Sequence, residues 1–313
     1  MERAIEMERV IDAVGRAMKE LGQGIAENVP RRRVHPPDNV LNVMFASFPG
    51  SGFYGFKSYS IGGGEVRFLV ALYNQEGPRA GNIEALIEAN LMGAYRTGAA
   101  SAVAAKALAP SGPVEVGVIG AGWQARTQVH AISRAIPATR FRVFSRDSQR
   151  RAAFAAELVE HLGIPAEAVG SAEQAVRGAQ VVVTMTNSGT PVLEAGWVEP
   201  GALVIGAGTN IPTRAELPPE LVQRAEVVVV DQLEAARLES GDLIGAEASG
   251  HFDWDDAVEL GAVIAGRDAG RRSADGIVLF ESHGLALWDI AAGAEVLARA
   301  RQRKLGTEID LFA

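Results

Sequence analysis

The stretch VEVGVIGAGWQA, residues 114–125, decides the fold of this 313-residue chain. A strand-like apolar run ends at Gly120, and the pattern G-x-G-x-x-A then opens a helix-forming segment. Gly120 would allow a tight turn, Gly122 would let a pyrophosphate approach the backbone, and Ala125 would let the helix pack closely on the strand. Free N–H groups at the start of the helix would bind phosphate. The dinucleotide-binding residues predicted from this motif are Gly120, Ala121, Gly122, Trp123 and Gln124.

Short apolar runs alternate with helix-forming segments from residue 112 onward. The strand-like runs lie at 114–119, 140–145, 180–185, 202–207, 226–231 and 276–282. The helical patterns lie at 123–136, 147–162, 171–178, 215–223, 233–240 and, near the end of the chain, 289–303. This alternation predicts an α/β protein with a Rossmann-type, doubly wound parallel sheet.

The residues before this alternation follow a different pattern. An amphipathic helix is predicted near 5–21, and β-branched and aromatic runs at 40–48, 54–60 and 65–74 predict an antiparallel meander. The Ala-rich segment 83–108 contains no proline and predicts a helix or a pair of helices. Pro and Gly residues at 109–113 then predict a domain boundary.

Composition excludes several classes of function. Hydrophobic residues make up 48% and charged residues 22% of the chain, with a formal net charge of −8, so no basic surface for nucleic acid or an anionic membrane is expected. The chain contains no cysteine, and its five histidines are scattered, so a metal site is not predicted. No apolar run is long enough to span a membrane. We therefore expect a cytoplasmic protein that acts on a small molecule.

The end of the second predicted Rossmann strand indicates which cofactor is preferred. Ser145 and Arg146 stand where an acidic residue would bind the ribose of NAD(H), and a hydroxyl followed by a guanidinium suits a 2′-phosphate. The sequence therefore predicts NADP(H), with NAD(H) as the second choice. In the alternative, Asp147 is the ribose ligand or the N-cap of the next helix, and Arg146 lies in solvent. Thr186 and Asn187 follow another strand and are predicted cofactor neighbours.

Several motifs together resemble the ornithine cyclodeaminase/μ-crystallin family. They run in the family's order along nearly the whole chain: Pro30-Arg31, Gly55-Phe56-Lys57, RTGAASA at 96–102, the glycine motif at 120–125, and FESHGLAL at 280–287 followed by Asp289. The resemblance implies an oxidoreductase that forms a homodimer. It also implies that residues 1–111 and 285–313 form an α+β substrate and dimerisation domain, into which a Rossmann domain of residues 112–284 is inserted.

By position, Arg31, Lys57 and Arg96 resemble the family's cations that hold the α-carboxylate of the substrate beside the nicotinamide. The resemblance thus implies a substrate-binding role for all three residues and a catalytic role for Lys57 and Arg96. Thr97 and Ser282 lie in the same motifs and are expected to contact the cofactor. Without the resemblance, Arg31 could be solvated and Lys57 could be an outward-facing strand residue, since charged residues are usually at the surface. Arg96 is the hardest of the three to interpret in this way, because it lies in an Ala-rich helix with few polar neighbours.

Asn210 marks a departure from the ornithine cyclodeaminases, which resemble one another in having an aspartate there. Because an amide is not a general base near neutral pH, we expect hydride transfer to a small α-imino acid, with Asn210 at the catalytic site. Two alternatives stay open. One is ornithine cyclodeaminase activity, from L-ornithine to L-proline and ammonia with NAD retained, and the other is a non-catalytic, μ-crystallin-like protein that binds a small ligand.

Overall fold

The computed structural model describes residues 1–62 and 65–309, and two sheets of different type organise them. The strands of this part are β1 (Glu27–Val34), β2 (Val40–Phe48), β3 (Phe53–Gly62), β4 (Glu65–Asn74), β5 (Ile83–Glu88), β6 (Val114–Ile119), β7 (Ala138–Phe144), β8 (Ala166–Ala168), β9 (Val181–Thr184), β10 (Leu203–Gly206), β11 (Ala225–Val230), β12 (Ala257–Glu259) and β13 (Ile277–Glu281). Its α-helices are α1 (Met7–Gly22), α2 (Asn90–Leu108), α3 (Trp123–Ala135), α4 (Ser148–Leu162), α5 (Ala172–Val176), α6 (Pro219–Arg224), α7 (Leu233–Glu239), α8 (Gly241–Ala248), α9 (Leu260–Ile264) and α10 (Ala286–Gln302).

The first sheet is antiparallel and contains β1 to β5 in chain order. Helix α10 packs against β1 to β4, and α1 and α2 pack against α10 and against each other. Side chains alternate along the strands, so Met44 and Phe48 of β2 are buried beneath the helices while Phe45 between them is exposed. This sheet therefore has a helix-covered inner face and an outer face that carries exposed apolar side chains.

The second sheet is parallel, with the strand order β12-β11-β13-β10-β9-β6-β7-β8. Its central strands β9 and β10 are buried along their whole length, because helices cover both faces of the sheet. From β6 the chain builds outward through β7 and β8 and then returns to the other side of β6 as β9. Strand order thus reverses between β6 and β9, which is where open α/β sheets bind ligands at the carboxyl ends of their strands.

This architecture confirms the predicted α/β fold with a Rossmann-type sheet. The division into residues 1–111 plus 285–313 and residues 112–284 stays a prediction, although every described strand before residue 112 lies in the antiparallel sheet and every later one in the parallel sheet. Within the described ranges, no helix has the length and apolar character needed to cross a membrane. The sequence also predicts a Gly-rich turn at 62–64, of which residues 63 and 64 lie outside the described residues.

Two predicted elements differ from the structure, and the first strand was not predicted. Residues 83–108 are not continuously helical, because 83–88 form β5 and pair with β4, so tertiary strand pairing overrides local helix propensity. Strand β1 was not predicted, since its sequence ENVPRRRV is polar and contains proline, which only an edge strand tolerates. The last helix begins at residue 286 rather than 289.

Candidate active site

Three basic side chains predicted to bind a carboxylate are buried and lie together. Arg31, Lys57 and Arg96 are only 5%, 1% and 8% exposed. Lys57 Nζ lies 2.9 Å from Oδ1 of Asp289, and Arg96 Nε donates to the same oxygen at 3.2 Å. Asp289 is fully buried, and its Oδ2 has no hydrogen-bond partner among the described residues. One carboxylate of α10 thus holds a cation from β3 and a cation from α2 side by side.

A β-bulge explains how Arg31 reaches the inner face together with Arg33. Register with β2 shifts between Val29 and Arg32, so one extra residue enters β1 and the alternation of its side chains is interrupted. Glu239 of α7 then binds both arginines, pairing with Arg31 through Oε2 and with Arg33 through Oε1, the latter at 2.9 Å. A single carboxylate therefore holds two guanidinium groups at the edge of the sheet.

The turn after β13 brings Arg31 and Arg96 to the same place. Asp231, at the end of β11, accepts hydrogen bonds from the backbone N–H groups of His283 and Gly284 at 2.7 and 2.8 Å. Gly284 has a φ of 92°, and a Cβ there would lie 3.0 Å from Arg96 Nη1 and 3.6 Å from Arg31 Nη2. Only glycine lets the backbone adopt this conformation and approach both guanidinium groups.

Burial and the neighbouring Arg96 charge lower the pKa of Lys57 to about 8, although Asp289 acts in the opposite direction. The amine of Lys57 is therefore mostly protonated at neutral pH and becomes mostly neutral in mildly alkaline solution. In the described part of the chain, two carboxylates, those of Glu239 and Asp289, form ion pairs with four cations. Glu239 pairs with Arg31 and Arg33, and Asp289 pairs with Lys57 and Arg96. The cluster consequently retains positive charge that an anionic ligand would neutralise.

Buried acidic residues at the edge of the parallel sheet surround His283, which contacts the cation cluster. Burial by itself would lower the pKa of His283, but its hydrogen bond to Asp231 and its ion pair with Glu281, whose Oε2 lies 3.6 Å from Nε2, raise it to about 10. Burial and the nearby Asp242 raise the pKa of Glu281 to about 8. His283 is therefore a cation held between acidic groups, and its backbone carbonyl accepts a hydrogen bond from Arg31 at 3.2 Å.

A cleft of about 780 Å³ opens at the reversal point of the parallel sheet. Gly120 has a φ of 124°, and a Cβ there would lie 2.2 Å from the carbonyl oxygen of Met185. A Cβ on Gly122 would meet no atom within 4 Å, and α3 begins at Trp123 without a side-chain N-cap. The glycines and the uncapped helix terminus therefore fit the pyrophosphate of a dinucleotide.

Nine residues predicted to bind the cofactor line this cleft: Gly120, Ala121, Gly122, Trp123, Gln124, Ser145, Arg146, Thr186 and Asn187. Thr97 and Ser282 are not among its lining residues. Thr97 Oγ1 donates to the carbonyl of Gly93 at 2.8 Å, and Ser282 is buried with no partner for its Oγ among the described residues. The structure thus gathers most of the predicted cofactor residues and places these two outside the cleft lining.

Asp147, just after the end of β7, caps the next helix and also lines the cleft. Its Oδ1 accepts hydrogen bonds from the N–H groups of Gln149 and Arg150, both at 3.0 Å, so Asp147 is the N-cap of α4. Hydrogen bonding to the Arg150 N–H is the main reason that the pKa of Asp147 is lowered. Arg146 is exposed and lines the cleft beside Ser145.

The loop after β10 joins the cleft to the cation cluster. Gly208 lines the cleft, and two residues later the carbonyl oxygen of Asn210 accepts a hydrogen bond from Arg33 at 3.3 Å. Beneath the cleft, Glu216 accepts hydrogen bonds from the N–H groups of Thr186 and Gly208 at 2.6 and 2.7 Å. The candidate substrate site and the candidate cofactor site are therefore adjacent.

Sequence reasoning assigned no role to Glu239, Asp231 or Glu216. Asp231 and Glu216 had a usable signal, since one ends a strand and the other follows the loop after β10, both at the carboxyl edge where ligands bind. Glu239 had none, because an acidic residue on a short helix resembles solvated surface. Within residues 1–62 and 65–309, no group of three or more His, Asp or Glu side chains could hold a metal ion.

The fold and the cleft define a Rossmann-type dinucleotide-binding protein with an adjoining cluster of buried cations. Residues 1–304 match the ornithine cyclodeaminase/mu-crystallin family, and the chain belongs to that family. The chain is 34% identical to the Δ(1)-pyrroline-2-carboxylate reductase of Bacillus cereus over 72% of its own length and 70% of that protein. It is 32% identical to the alanine dehydrogenase of Archaeoglobus fulgidus, over 100% of this chain and 96% of that protein.

Solved structures of the same family superpose closely. The Thermococcus litoralis Δ(1)-pyrroline-2-carboxylate reductase, in complex with NADH and L-proline, gives a TM-score of 0.92 at 30% identity over 98% of this chain and 97% of that one. An archaeal alanine dehydrogenase dimer with bound NAD gives a TM-score of 0.91 at 31% identity, over 100% of this chain and 98% of that one. The iminosuccinate reductase of Paracoccus denitrificans, in complex with NAD⁺, gives a TM-score of 0.91 at 27% identity, over 98% of this chain and 96% of that one.

Proposed function

We propose that this protein reduces a small α-imino acid to the α-amino acid with a nicotinamide dinucleotide. The observation that carries the proposal is the buried cluster of Arg31, Lys57 and Arg96 beside the dinucleotide cleft. Buried cations without enough carboxylates call for an anion, and an α-carboxylate is the anion that all α-imino acids share. The two reductases and the alanine dehydrogenase described above act, by their names, on substrates or products of this kind.

The side chains divide the work between binding and orientation. Arg31, Lys57 and Arg96 hold the α-carboxylate, which fixes the neighbouring carbon in one orientation. The cofactor, when bound along Gly120–Gln124, supplies a hydride to that carbon. Lys57 keeps a proton on Nζ at neutral pH. Asn210, whose backbone carbonyl accepts a hydrogen bond from Arg33, has an amide side chain that can bind polar groups but cannot act as a base.

The test is oxidation of NADPH and of NADH with a panel of α-imino acids. The panel contains Δ1-pyrroline-2-carboxylate, Δ1-piperideine-2-carboxylate, and pyruvate mixed with methylamine. Turnover of at least one imine is expected. Silence on the whole panel, with proline formed from ornithine and NAD⁺, would replace the proposal by ornithine cyclodeaminase activity, and tight cofactor binding without any turnover would favour a binding protein.

The rate should depend on the protonation of Lys57. Arg31, Lys57 and Arg96 together form what we call the carboxylate clamp. We expect kcat/KM to fall as the pH rises through about 8, because the clamp then loses one of its charges. Lys57→Arg should remove this alkaline limb, since a guanidinium keeps its proton. If the limb persists unchanged in Lys57→Arg, it arises from the imine or from another group, and the assignment to Lys57 is wrong.

Within the same function, we propose a preference for NADP(H) over NAD(H). Ser145 and the exposed Arg146 line the cleft at the end of β7, and Asp147, which also lines it, has its Oδ1 engaged by the N–H groups of Gln149 and Arg150. Arg146→Gln should raise the KM for NADPH by about tenfold, the effect of one charged hydrogen bond. The KM for NADH is the internal control, and an equal change in both constants would contradict the role of Arg146.

The outer face of the antiparallel sheet is proposed as the homodimer interface. One row of paired residues across it is entirely apolar, Phe45, Phe56, Ala71 and Leu86, with Phe45 43% and Leu86 50% exposed. Ala71 within this row is buried, but exposed apolar side chains grouped on one face mark an association surface. The archaeal alanine dehydrogenase with the same fold is a dimer.

Phe45→Asp should convert the dimer to a monomer, because it places a charge within this apolar face. Mass in solution, measured by light scattering on a sizing column, gives the result. Val159→Asp is the matched control, since Val159 is equally exposed but lies on α4, away from the antiparallel sheet. A wild-type monomer, or a dimer that survives Phe45→Asp, would rule out this interface.

A further inference from the structure

A second row of polar residues lies beside the clamp on the inner face of the antiparallel sheet. Arg33 of β1 pairs with Asn42 of β2, which pairs with Tyr59 of β3. The Tyr59 ring centre is 6.0 Å from the Arg31 guanidinium carbon and 5.8 Å from Lys57 Nζ. Arg33, Asn42 and Tyr59, which we call the side-chain row, therefore border the proposed carboxylate site. The function proposed above assigns no role to this row.

Asn42 leaves one hydrogen-bond donor unused. Its Oδ1 accepts a hydrogen bond from Arg33 Nε at 3.1 Å. Because a guanidinium only donates, the amide oxygen must face Arg33, which leaves the Nδ2 group on the other side of the amide. Asn42 is 1% exposed, and its Nδ2 has no partner among the described residues. A buried donor without an acceptor is costly, so this donor indicates a ligand that brings an acceptor.

The charge balance indicates which acceptor. Glu239 is shared by Arg31 and Arg33, and Asp289 is shared by Lys57 and Arg96. Each carboxylate therefore neutralises one of two cations, and the four cations retain two positive charges between them. The α-carboxylate of an imino acid would neutralise one of these charges. A second carboxylate on the same substrate would neutralise the other.

Arg33 is placed to receive that second group. Its side chain is 25% exposed, whereas that of Arg31 is 2% exposed, so Arg33 is the more accessible of the two arginines that share Glu239. Its Nη2 also reaches the backbone of Asn210, in the loop that follows the cofactor cleft. A substrate lying between the clamp and this loop would direct its side chain toward the side-chain row.

We propose, on the basis of the function proposed above, that Arg33 and Asn42 bind a side-chain carboxylate and that the preferred substrate is a dicarboxylic α-imino acid. Arg33 attracts the carboxylate and Asn42 Nδ2 donates a hydrogen bond to it. The pair therefore acts on specificity, while Arg31, Lys57 and Arg96 hold the α-carboxylate that every substrate of this class has.

The experiment compares two imines that differ by one carboxylate. Ammonia with oxaloacetate forms the dicarboxylic imine, and ammonia with pyruvate forms the monocarboxylic one; reactions without ammonia measure any reduction of the ketone. We expect kcat/KM with NADPH to be at least about tenfold higher for the dicarboxylic imine, the effect of one or two charged hydrogen bonds. An equal or lower value would overturn the proposal and leave the imine reductase function intact.

Two variants test the residues. Arg33→Gln should lower the ratio of the two kcat/KM values by about tenfold or more, even if loss of the contact with Glu239 lowers both rates. Asn42→Asp changes the side chain least in shape, and it should lower the same ratio by removing the donor and opposing the substrate charge. Arg32→Gln is the matched control, because Arg32 precedes Arg33 on the same strand but is exposed. A ratio unchanged in both test variants would contradict the assignment.

The outcomes also separate this inference from the function on which it rests. Failure to reduce any imine, including those of the wider panel, would overturn both. Reduction of the pyruvate imine with no advantage for the oxaloacetate imine would overturn the inference alone. Should Arg33→Gln not fold, Asn42→Asp and the two wild-type rates still decide the question.

Discussion

Replacing Arg96 by alanine is expected to lower kcat/KM for an α-imino acid by about 10³-fold, the effect of losing two charged hydrogen bonds. Arg96 is buried against Asp289 on one side and against the Gly284 turn on the other. Its guanidinium carbon also lies 5.7 Å from the Trp288 ring centre, so its position is fixed from several directions. A side chain held in this way binds a carboxylate without having to be ordered first.

Binding of NADPH should be unchanged in Arg96→Ala, because Arg96 does not line the dinucleotide cleft. Steady-state kinetics and the fluorescence of bound NADPH measure the two effects separately. Arg96→Lys should recover part of the rate, since it restores the charge but not the planar pair of donors. Lys106→Ala, at an exposed position of the same helix, is the control. Normal turnover by Arg96→Ala would exclude the proposed clamp.

The sequence predicted the parallel sheet well because its strands are buried on both faces. Such strands appear in a sequence as uninterrupted aliphatic runs, as in VVVT at 181–184 and LVIG at 203–206. The antiparallel sheet was predicted less completely. Its edge strand β1 contains Pro30 and three consecutive arginines, and the bulge that turns Arg31 and Arg33 inward follows from pairing with β2 rather than from local preference.

The candidate site shows the same division between local and long-range information. The glycine motif was predictable because Gly120 and Gly122 act through their own backbone conformation. The partners of the basic residues were not, since Glu239 lies 208 positions from Arg31 and Asp289 lies 193 positions from Arg96. The family resemblance implied that Arg31, Lys57 and Arg96 act together, but only the fold identifies the two carboxylates that hold them.

Asp289→Asn is expected to impair both stability and activity, with opposite dependence on pH. Asp289 is fully buried between Lys57 and Arg96, and removing its charge leaves both cations without their carboxylate. Loss of one partner from a buried ion pair typically costs about 3–5 kcal/mol of unfolding free energy. Asp12→Asn, at an exposed position of α1, makes the same chemical change and should have no comparable effect.

The dependence on pH follows from the pKa of Lys57. Burial already lowers this pKa from 10.5 to about 8, and the attraction of Asp289 opposes that shift, so Asp289→Asn should lower the pKa of Lys57 further. The alkaline limb of kcat/KM should therefore move to lower pH. Between the folded and unfolded pKa values the unfolded chain binds more protons, so the stability of the variant should increase as the pH rises through that range. Activity lost and stability gained over the same pH interval would assign both effects to one ammonium group. An alkaline limb that stays near pH 8 in the variant would show that Asp289 does not control the charge of Lys57.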